Sequence, residues 1–471
     1  MKLKAPGFEI PPDDPFKHDL LKRRESAESL LEVVKSTDEP LVLCIDGAWG
    51  SGKTTFLSMW RQLLKNSGMP TMYFNAWEND FSDDAMISLI GEFEAGMEEL
   101  ALTGPRRKKA RATMKKAKNL GVALTKHLVP AGIKIATAGA VNADALTRDV
   151  ISGLTEKLAT EQIQRYERSK KTVAAFKTAF GRFAAEVTTS NDKGHRCSLV
   201  VLVDELDRCR PTFAVEVLEK VKHFFNVPNV IFVIAIDKQQ LRHSIRSLYG
   251  QAMDVDGYLK RFFDLDYSLP PPGRGRFSVA LFDRFGLADF FKKRRGSVAA
   301  YDGRTLNGLF AQLFEILSCS LREQEQCFSQ LSLAIRTTPE NQQLYPVLLG
   351  SLIVLKAKNP ELYRGFVTGE SAPEDVLEYL RKKPGGDAFV DSWEGVSLEA
   401  YLVTCRSHRG SYGDIASPYR KVAEDLGAPE QDRKRATQII EQIKAGDWNH
   451  NIQKYVVNKI DIVTQFEDTA G

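Results

Sequence analysis

One stretch of eight residues constrains the fold of this chain more than any other part of the sequence. Residues 47–54 read Gly-Ala-Trp-Gly-Ser-Gly-Lys-Thr, which is the spacing G-x-x-x-x-G-K-T. They follow the apolar run 41–45, and apolar residues at helical spacing begin at Phe56. A buried strand, a glycine turn and a helix N-terminus together form a cradle for phosphate, because backbone N–H groups and the helix dipole both favour an anion. The sequence therefore predicts a phosphate-binding loop at 47–54.

Each position of the loop has a predicted role in holding a nucleotide, which we expect to be ATP with Mg²⁺. Lys53 is predicted to reach the β- and γ-phosphates and to act in catalysis, and the Thr54 hydroxyl is predicted to ligate the Mg²⁺. Glycines are required because they let the backbone N–H groups turn inward around the phosphate oxygens. The other predicted nucleotide contacts are Gly47, Trp49, Gly50, Ser51, Gly52 and Thr55.

A second motif supplies the acids that such a loop needs. The apolar run 199–203 is followed by Asp204 and Glu205. Asp204 is predicted to hold Mg²⁺, directly or through water. Glu205 is predicted to polarise the attacking water as general base. Two adjacent acids repel each other without a nearby cation, so a metal ion accounts for the pair.

Two further residues near these motifs are candidates for contact with the phosphates. Arg208 is a candidate catalytic residue that would neutralise phosphate charge, within the chain or across a subunit interface. The alternative is an ion pair of Arg208 with Asp207 or with a neighbouring helix. Asp237 directly follows the apolar run 230–236, where a polar side chain can sense the γ-phosphate.

The end of the run 71–75 adds polar candidates at the same predicted edge of the sheet. Ligands of open α/β sheets bind beyond the carboxyl ends of the strands. Trp77 is predicted to be a packing residue that covers this edge. One of three neighbours could orient water or metal, and the sequence does not choose among Asn75, Glu78 and Asp80.

Strand and helix patterns alternate along the first 275 residues. Strands are predicted at 41–46, 71–75, 199–203, 230–236 and 265–269, with helical patterns between them. This alternation predicts an α/β fold with a central, mainly parallel sheet of about five strands. We expect an N-terminal extension at 1–25, a nucleotide-binding core at 26–275 with a helical insertion at about 82–190, and a helical region at 276–471.

The predicted insertion has an unusual composition. Eight basic residues and no acid occur between Arg106 and Lys118, and residues 120–141 are small and apolar but contain lysines. A membrane-spanning helix is not expected, since each charge at the bilayer centre costs about 2.5–3.5 kcal/mol on insertion scales. Three interpretations stay open: an insertion packed on its own domain, contact with an anionic membrane surface, and contact with nucleic-acid phosphates.

Composition restricts the setting of the protein. The net charge is only +4 over 471 residues, so any basic partner surface must be local. The six cysteines include no C-x-x-C pair, so neither disulfides nor a zinc site are expected. No apolar run follows the first lysines, and no stretch of about 18 apolar residues occurs. We expect a cytoplasmic protein, with peripheral contact at the inner face of the membrane as an option.

The motifs together resemble the KAP family of P-loop NTPases over roughly residues 15–340. The resemblance rests on the loop 47–54 with its tryptophan, on Phe-Asn-Ala-Trp at 74–77, on Asp-Glu-Leu-Asp-Arg at 204–208, and on Tyr-Leu-Lys at 258–260 before a strand that ends Leu-Pro-Pro at 269–271. It implies an ASCE-type fold related to AAA+ and STAND ATPases, with an additional strand between the two nucleotide strands and Glu205 as catalytic base. Many members carry paired transmembrane helices between the two nucleotide motifs, which correspond here to the loop 47–54 (Walker A) and to the run 199–203 with Asp204 and Glu205 (Walker B). The basic, glycine-rich insertion here departs from that pattern.

The function that this resemblance and the motifs imply is an ATPase that drives a conformational or assembly switch. Bacterial relatives often belong to phage-exclusion or other defence systems, and a switch ATPase usually works with protein partners encoded elsewhere or with further copies of itself. The sequence shows no Asn-Lys-x-Asp guanine motif after 230–236, which favours ATP. Two alternatives stay open: a nucleotide-gated scaffold with little hydrolysis, and a small-molecule kinase.

Overall fold

The structure is a computed structural model, and it divides the chain into two compact units. It describes residues 2–4, 7, 9–37, 39–100, 102–127, 148–188, 197–293, 297–339, 342–406, 412–445 and 452–461. One unit comprises Glu9–Pro271, and the other comprises Met1–Phe8 with Pro272–Gly471. The domain boundaries predicted from the sequence stay predictions, because compactness alone does not test which segments fold independently.

The unit Glu9–Pro271 is built on a five-stranded sheet in which every strand pair is parallel. Its strands are β1 (Leu41–Asp46), β2 (Thr71–Asn75), β3 (Leu199–Asp204), β4 (Val230–Ile236) and β5 (Leu265–Ser268), in the order β2-β3-β4-β1-β5. The predicted parallel sheet is thus confirmed. So is the additional strand, since β4 lies between β1, which precedes the glycine loop, and β3, which ends in the predicted metal acid.

The register of the sheet brings the chemically active residues to one edge. Asn75 at the end of β2 is paired with Asp204 at the end of β3. Asp46 at the end of β1 is paired with Ile236, the last residue of β4. Because all strands run in the same direction, the segments that follow them emerge side by side at their carboxyl ends.

The helices of this unit largely follow the predicted pattern. After β2, the helix that begins at Ala85 ends at Gly96 and is followed by a short 3₁₀ helix, Met97–Glu99. The helical stretch after residue 148 is one long helix. The bounds are α1 (Arg24–Lys35), α2 (Lys53–Asn66), α3 (Ala76–Asn79), α4 (Ala85–Gly96), α5 (Gly104–His127), α6 (Arg148–Thr188), α7 (Pro211–Phe224), α8 (Lys238–Tyr249) and α9 (Val255–Leu259).

The described part of the insertion packs on its own domain. The apolar positions of α5, at 110, 114, 117 and 124, are buried in the core of the sheet unit. Phenylalanines of α6 join the same core, so both helices turn an apolar face inward and leave cations outside. The predicted apolar segment 120–141 extends past residue 127, where it lies outside the described residues. Within the described residues no helix is long and apolar enough to cross a bilayer.

A cluster of phenylalanines packs α6 into the core of the sheet unit, and Phe225 is its centre. The ring of Phe225 is fully buried and lies 4.9 Å from that of Phe180, 5.3 Å from that of Phe176 and 5.3 Å from that of Phe93, measured between centroids. All three contacts are edge-to-face, a favourable arrangement of aromatic quadrupoles.

The second unit is helical throughout its described residues. The helical stretch that begins this unit after residue 273 is divided in two at Gly286, which has a left-handed φ of 71°. The helix that begins at Pro346 is buried on all sides and lies at the centre of this unit. The bounds are α10 (Arg274–Arg284), α11 (Leu287–Lys293), α12 (Ser297–Ile316), α13 (Leu321–Arg336), α14 (Pro346–Lys358), α15 (Pro360–Thr368), α16 (Pro373–Arg381), α17 (Gly386–Val390), α18 (Trp393–Arg406), α19 (Tyr412–Glu424), α20 (Glu430–Ala445) and α21 (Ile452–Ile460).

Truncation of Phe225 tests the packing of the insertion. Phe225→Ala removes a ring from a closed core, and such changes cost about 3–5 kcal/mol. We expect the thermal unfolding midpoint of the full chain to fall by about 6 °C or more in differential scanning calorimetry. Phe81→Ala is the matched control, since Phe81 is 85 % exposed. Equal midpoints for the two variants would contradict the assignment of Phe225 to the core.

Candidate functional site

The glycine loop between β1 and α2 is a tight turn whose backbone only glycine adopts easily. Gly50 and Gly52 have φ values of 72° and 86°, in the left-handed region that disfavours other residues. A Cβ atom on Gly47 would lie 2.9 Å from Ser51 Oγ, closer than real Cβ contacts allow. The loop is tied to the sheet because Gly47 N–H donates to Ile236 O at 3.1 Å. The three glycines are therefore required by this fold of the loop.

The ammonium group of Lys53 lies over the loop. Lys53 Nζ donates to Gly47 O at 2.7 Å and lies 3.8 Å from Asp207 Oδ2. Both side chains are almost fully buried. A buried cation beside a loop of backbone N–H groups can exchange its carbonyl partner for a phosphate oxygen.

Asp207 connects three parts of the site, which the sequence did not reveal. Its Oδ2 atom accepts from Trp49 Nε1 at 2.6 Å and from the backbone N–H of Asp237 at 3.0 Å, besides facing Lys53. From the sequence Asp207 is expected only as an ion-pair partner of the arginines that follow it, Arg208 and Arg210. Its contacts span up to 158 residues, so no local pattern could have identified them.

Asp204 and Thr54 are adjacent, as a shared metal would require. The Asp204 carboxylate accepts hydrogen bonds from the Thr54 hydroxyl, from Tyr73 Oη at 3.0 Å and from the N–H of Glu205 at 2.9 Å. Burial raises the pKa of Asp204, and these hydrogen bonds oppose the rise. Tyr73 was not predicted to belong to the site. It could have been suspected only from its place on β2, two residues before the carboxyl end.

The residues present fit Mg²⁺ bound together with a nucleotide. A hydroxyl and a carboxylate oxygen are ligands that Mg²⁺ prefers, and it completes its shell with phosphate oxygens and water. Ser51 Oγ is buried in the loop without a hydrogen-bond partner, as expected of a group that a ligand completes. Over the residues that the structure describes, no group of three or more His, Cys, Asp or Glu side chains could hold a metal alone.

Glu205 and Arg208 form an ion pair with each other. Arg208 Nη1 lies 2.5 Å from Glu205 Oε1, and Glu205 has a left-handed φ of 59°. The sequence-based alternative that paired Arg208 with Asp207 or a neighbouring helix is therefore wrong about the partner, because Asp207 is occupied by the loop. In this arrangement the predicted general base is held by the predicted phosphate-neutralising cation.

Asp237 anchors the loop through backbone hydrogen bonds. Its Oδ1 accepts from the N–H groups of Gln239 and Gln240 and caps α8, while its Oδ2 accepts from the N–H of Trp49 at 3.0 Å. Both oxygens are thus used by the protein. Contact of Asp237 with a γ-phosphate stays a prediction.

The polar residues after β2 are used mainly to shape the edge of the site. Asn75 caps α3 by accepting from the N–H groups of Trp77 and Glu78. Asp80 is buried and accepts from Arg210, from N–H at 2.8 Å and from Nε at 3.0 Å. Trp77 is 52 % exposed, so the prediction of a packed tryptophan is wrong.

Comparison with known proteins identifies a family for this chain. A sequence model described as "KAP family P-loop domain" matches residues 23–286, which is more than half of the chain. No curated protein matches the chain significantly. Among solved structures, the chain is similar to a structure of the ORC2 protein of Aeropyrum pernix, which is described as containing ADPNP–ADP complexes. That likeness has 12 % identity, covers 94 % of this chain and 98 % of that chain, and has a TM-score of 0.28.

Substitution of Gly52 tests the loop conformation without any ligand. Gly52→Ala places a Cβ atom at a left-handed residue, which costs about 1–2 kcal/mol. Gly91→Ala is the matched control, because Gly91 lies exposed on α4 with nothing within 4 Å of its Cβ position. Alanine there should stabilise the helix by about 0.5–1 kcal/mol. We expect opposite shifts of the urea midpoint, and a shift in the same direction would contradict the assigned loop conformation.

Proposed function

From the premise that the chain belongs to the KAP family of P-loop domains, we propose that it binds ATP with Mg²⁺ and hydrolyses the nucleotide to drive a conformational or assembly switch. One observation carries this proposal. A glycine loop with a buried lysine, a hydroxyl–carboxylate pair and a glutamate meet at the carboxyl ends of β1 and β3.

In the proposed binding step the loop exchanges internal contacts for contacts with phosphate. The N–H groups of the loop and the N-terminus of α2 would surround the phosphates. Lys53 would move from Gly47 O to the β- and γ-phosphates, which removes the cation that Asp207 faces. Thr54 and Asp204 would hold Mg²⁺, which supplies charge neutralisation between the two phosphates.

In the proposed hydrolysis step Glu205 acts as general base on the attacking water. To do so its carboxylate must be available, whereas in this structure it is paired with Arg208. Separation of the pair would free Glu205 for water and Arg208 for the charge that develops on phosphate. Glu205 can therefore act as general base, and Arg208 can neutralise phosphate charge, only after the ion pair between them has separated.

Two alternatives come from other functional classes. A nucleotide-gated scaffold would keep the same loop and metal ligands but hydrolyse little. A small-molecule kinase would need a set of arginines that bind an acceptor. In the described structure Arg210 is bound to Asp80 through its N–H and its Nε, so this arginine is not available to an acceptor, which favours the ATPase over the kinase.

The cellular setting follows from the family and the proposed chemistry. We propose a cytoplasmic protein whose ATP cycle acts on protein partners or on further copies of itself. Within the family resemblance a role in bacterial antiviral defence is the leading setting. It is carried by the resemblance and by no residue of this chain.

A basic surface on α5 is the candidate for peripheral contact with a polyanion. Three cations of the segment pair internally: Arg107 and Arg111 with Glu98, and Lys118 with Glu94. Four others are exposed on the outer side of the helix: Lys108, Lys109, Lys115 and Lys116. The apolar positions of the helix are buried, so this surface would act by charge rather than by insertion into lipid.

The decisive experiment for the ATPase proposal is Glu205→Gln. We expect ATP turnover by the full chain to fall by at least 100-fold, because the general base is lost. ATP affinity should stay within about threefold of wild type, because the phosphate contacts remain. Steady-state hydrolysis assays measure the turnover, and equilibrium nucleotide binding measures the affinity. Glu28→Gln, on the exposed face of α1, is the control variant.

Other outcomes of that experiment select the alternatives. Wild-type binding without turnover would support the scaffold. Absence of nucleotide binding by the wild type would reject the assignment of residues 47–54 as a working phosphate loop.

The basic surface is tested by substitution rather than by deletion, because deletion of 106–118 would also remove buried residues of the core. Glutamine at positions 108, 109, 115 and 116 should lower any binding of anionic liposomes or duplex DNA by at least about tenfold at low salt. The control variant carries glutamine at four exposed lysines of the helical unit, namely Lys382, Lys421, Lys434 and Lys444. Wild type that binds neither liposomes nor DNA would leave the surface without a polyanion partner.

A further inference from the structure

Arg23 is a buried arginine that contacts the glycine loop through backbone carbonyls. It is 2 % exposed and directly precedes α1. Its Nη2 atom donates to Ser51 O at 2.8 Å and to Pro270 O at 3.2 Å, and its Nη1 atom donates to Gly52 O at 3.2 Å. One guanidinium thus joins two successive peptide groups of the loop to the segment after β5.

The direction of these hydrogen bonds fixes the direction of the loop N–H groups. In a planar trans peptide the C=O bond and the following N–H bond point to opposite sides. Because Ser51 O and Gly52 O are turned toward Arg23, the N–H groups of Gly52 and Lys53 are turned away from it. Gly52 O also accepts the first hydrogen bond of α2, from the N–H of Phe56 at 3.0 Å, so α2 and Arg23 hold this carbonyl together, whereas Arg23 holds Ser51 O from outside the helix. In a G-x-x-x-x-G-K-T loop such N–H groups are the ones that surround the phosphates.

We propose that Arg23 is a positioning residue of the nucleotide site: it holds the carbonyls of Ser51 and Gly52 so that the N–H groups of Gly52 and Lys53 face the phosphates of the nucleotide. This inference rests on the proposed function, since it concerns the same loop. Arg23 does not contact the nucleotide. It acts through the peptide groups between them.

The surroundings of Arg23 suit a fixed cation. Burial lowers the pKa of Arg23 to about 10, so the side chain remains charged at neutral pH. Its backbone N–H donates to the carboxylate of Asp19, which holds the main chain just before α1, while its side chain contacts the loop. A planar guanidinium can serve neighbouring carbonyls at fixed spacing, which a single ammonium cannot do.

The test compares nucleotide binding by Arg23→Met, Arg23→Lys and wild type in the full chain. Methionine keeps much of the buried volume but removes every donor. We expect the dissociation constants for Mg²⁺–ATP and Mg²⁺–ADP to rise by the same factor, about tenfold or more, since the Gly52 N–H loses its alignment and the Lys53 N–H keeps only the support of α2. Lysine should produce a smaller rise of about two- to fivefold. In steady-state hydrolysis measured over a range of ATP concentrations, KM should rise while kcat, read at saturating ATP, changes little.

A control separates positioning from loss of stability. Arg435 is a largely buried arginine of the helical unit that pairs with Glu399 and Asp391. Arg435→Met should lower the thermal midpoint without changing the affinity for ATP or ADP. A lower midpoint together with weaker nucleotide binding is expected only for Arg23→Met.

Each outcome decides the proposal. Unchanged ATP and ADP affinity in Arg23→Met, with binding by the wild type, would overturn the role of Arg23 and leave the proposed function standing. No nucleotide binding by the wild type would overturn both. If Arg23→Met does not fold, Arg23→Lys decides, because unchanged affinity in that variant would show that the guanidinium geometry is not needed.

Discussion

One buried carboxylate, that of Asp207, holds together the segments on which the site depends. It binds the indole of Trp49 in the loop and the N–H of Asp237 after β4, and it faces Lys53. The parallel sheet brings these segments to one edge, but it does not fix their side chains. Removing one partner of a buried charge leaves the others uncompensated, so the loop and the two strand ends are stabilised as one set.

The charge balance at this edge explains why the site needs cations. Four carboxylates, those of Asp204, Glu205, Asp207 and Asp237, lie within the same group of strand ends. Lys53 and Arg208 supply protein cations, and backbone N–H groups satisfy Asp237. Asp204 has neither a lysine nor an arginine among its hydrogen-bond donors, and burial raises its pKa. A divalent cation would offset that cost directly, which is a physical reason to assign Mg²⁺ to the pair of Asp204 and Thr54.

The sequence predicted the parts of this protein that depend on local pattern. The strands, the glycine loop and the place of β4 between β1 and β3 followed from apolar runs, glycine spacing and the family resemblance. Contacts between distant residues could not be predicted in this way. Asp207 and Arg23 act across more than 25 residues of sequence, and Tyr73 reaches Asp204 across two neighbouring strands. Trp77 was misplaced because an aromatic residue after a strand is equally compatible with packing and exposure.

Lys53 of the loop and Glu205 after β3 are both held by contacts within the protein. Lys53 is held by Gly47 O, and Glu205 is held by Arg208, so each of these two groups, proposed to meet ATP or water, already has a partner in the protein. Lys53 is buried and Glu205 is partly buried, where a charged group without a partner is costly. A bound triphosphate carries more negative charge than either the Gly47 carbonyl or the Glu205 carboxylate. Within the proposed cycle, nucleotide binding would therefore free Glu205 as a consequence of satisfying Arg208, which links occupancy of the loop to readiness of the base.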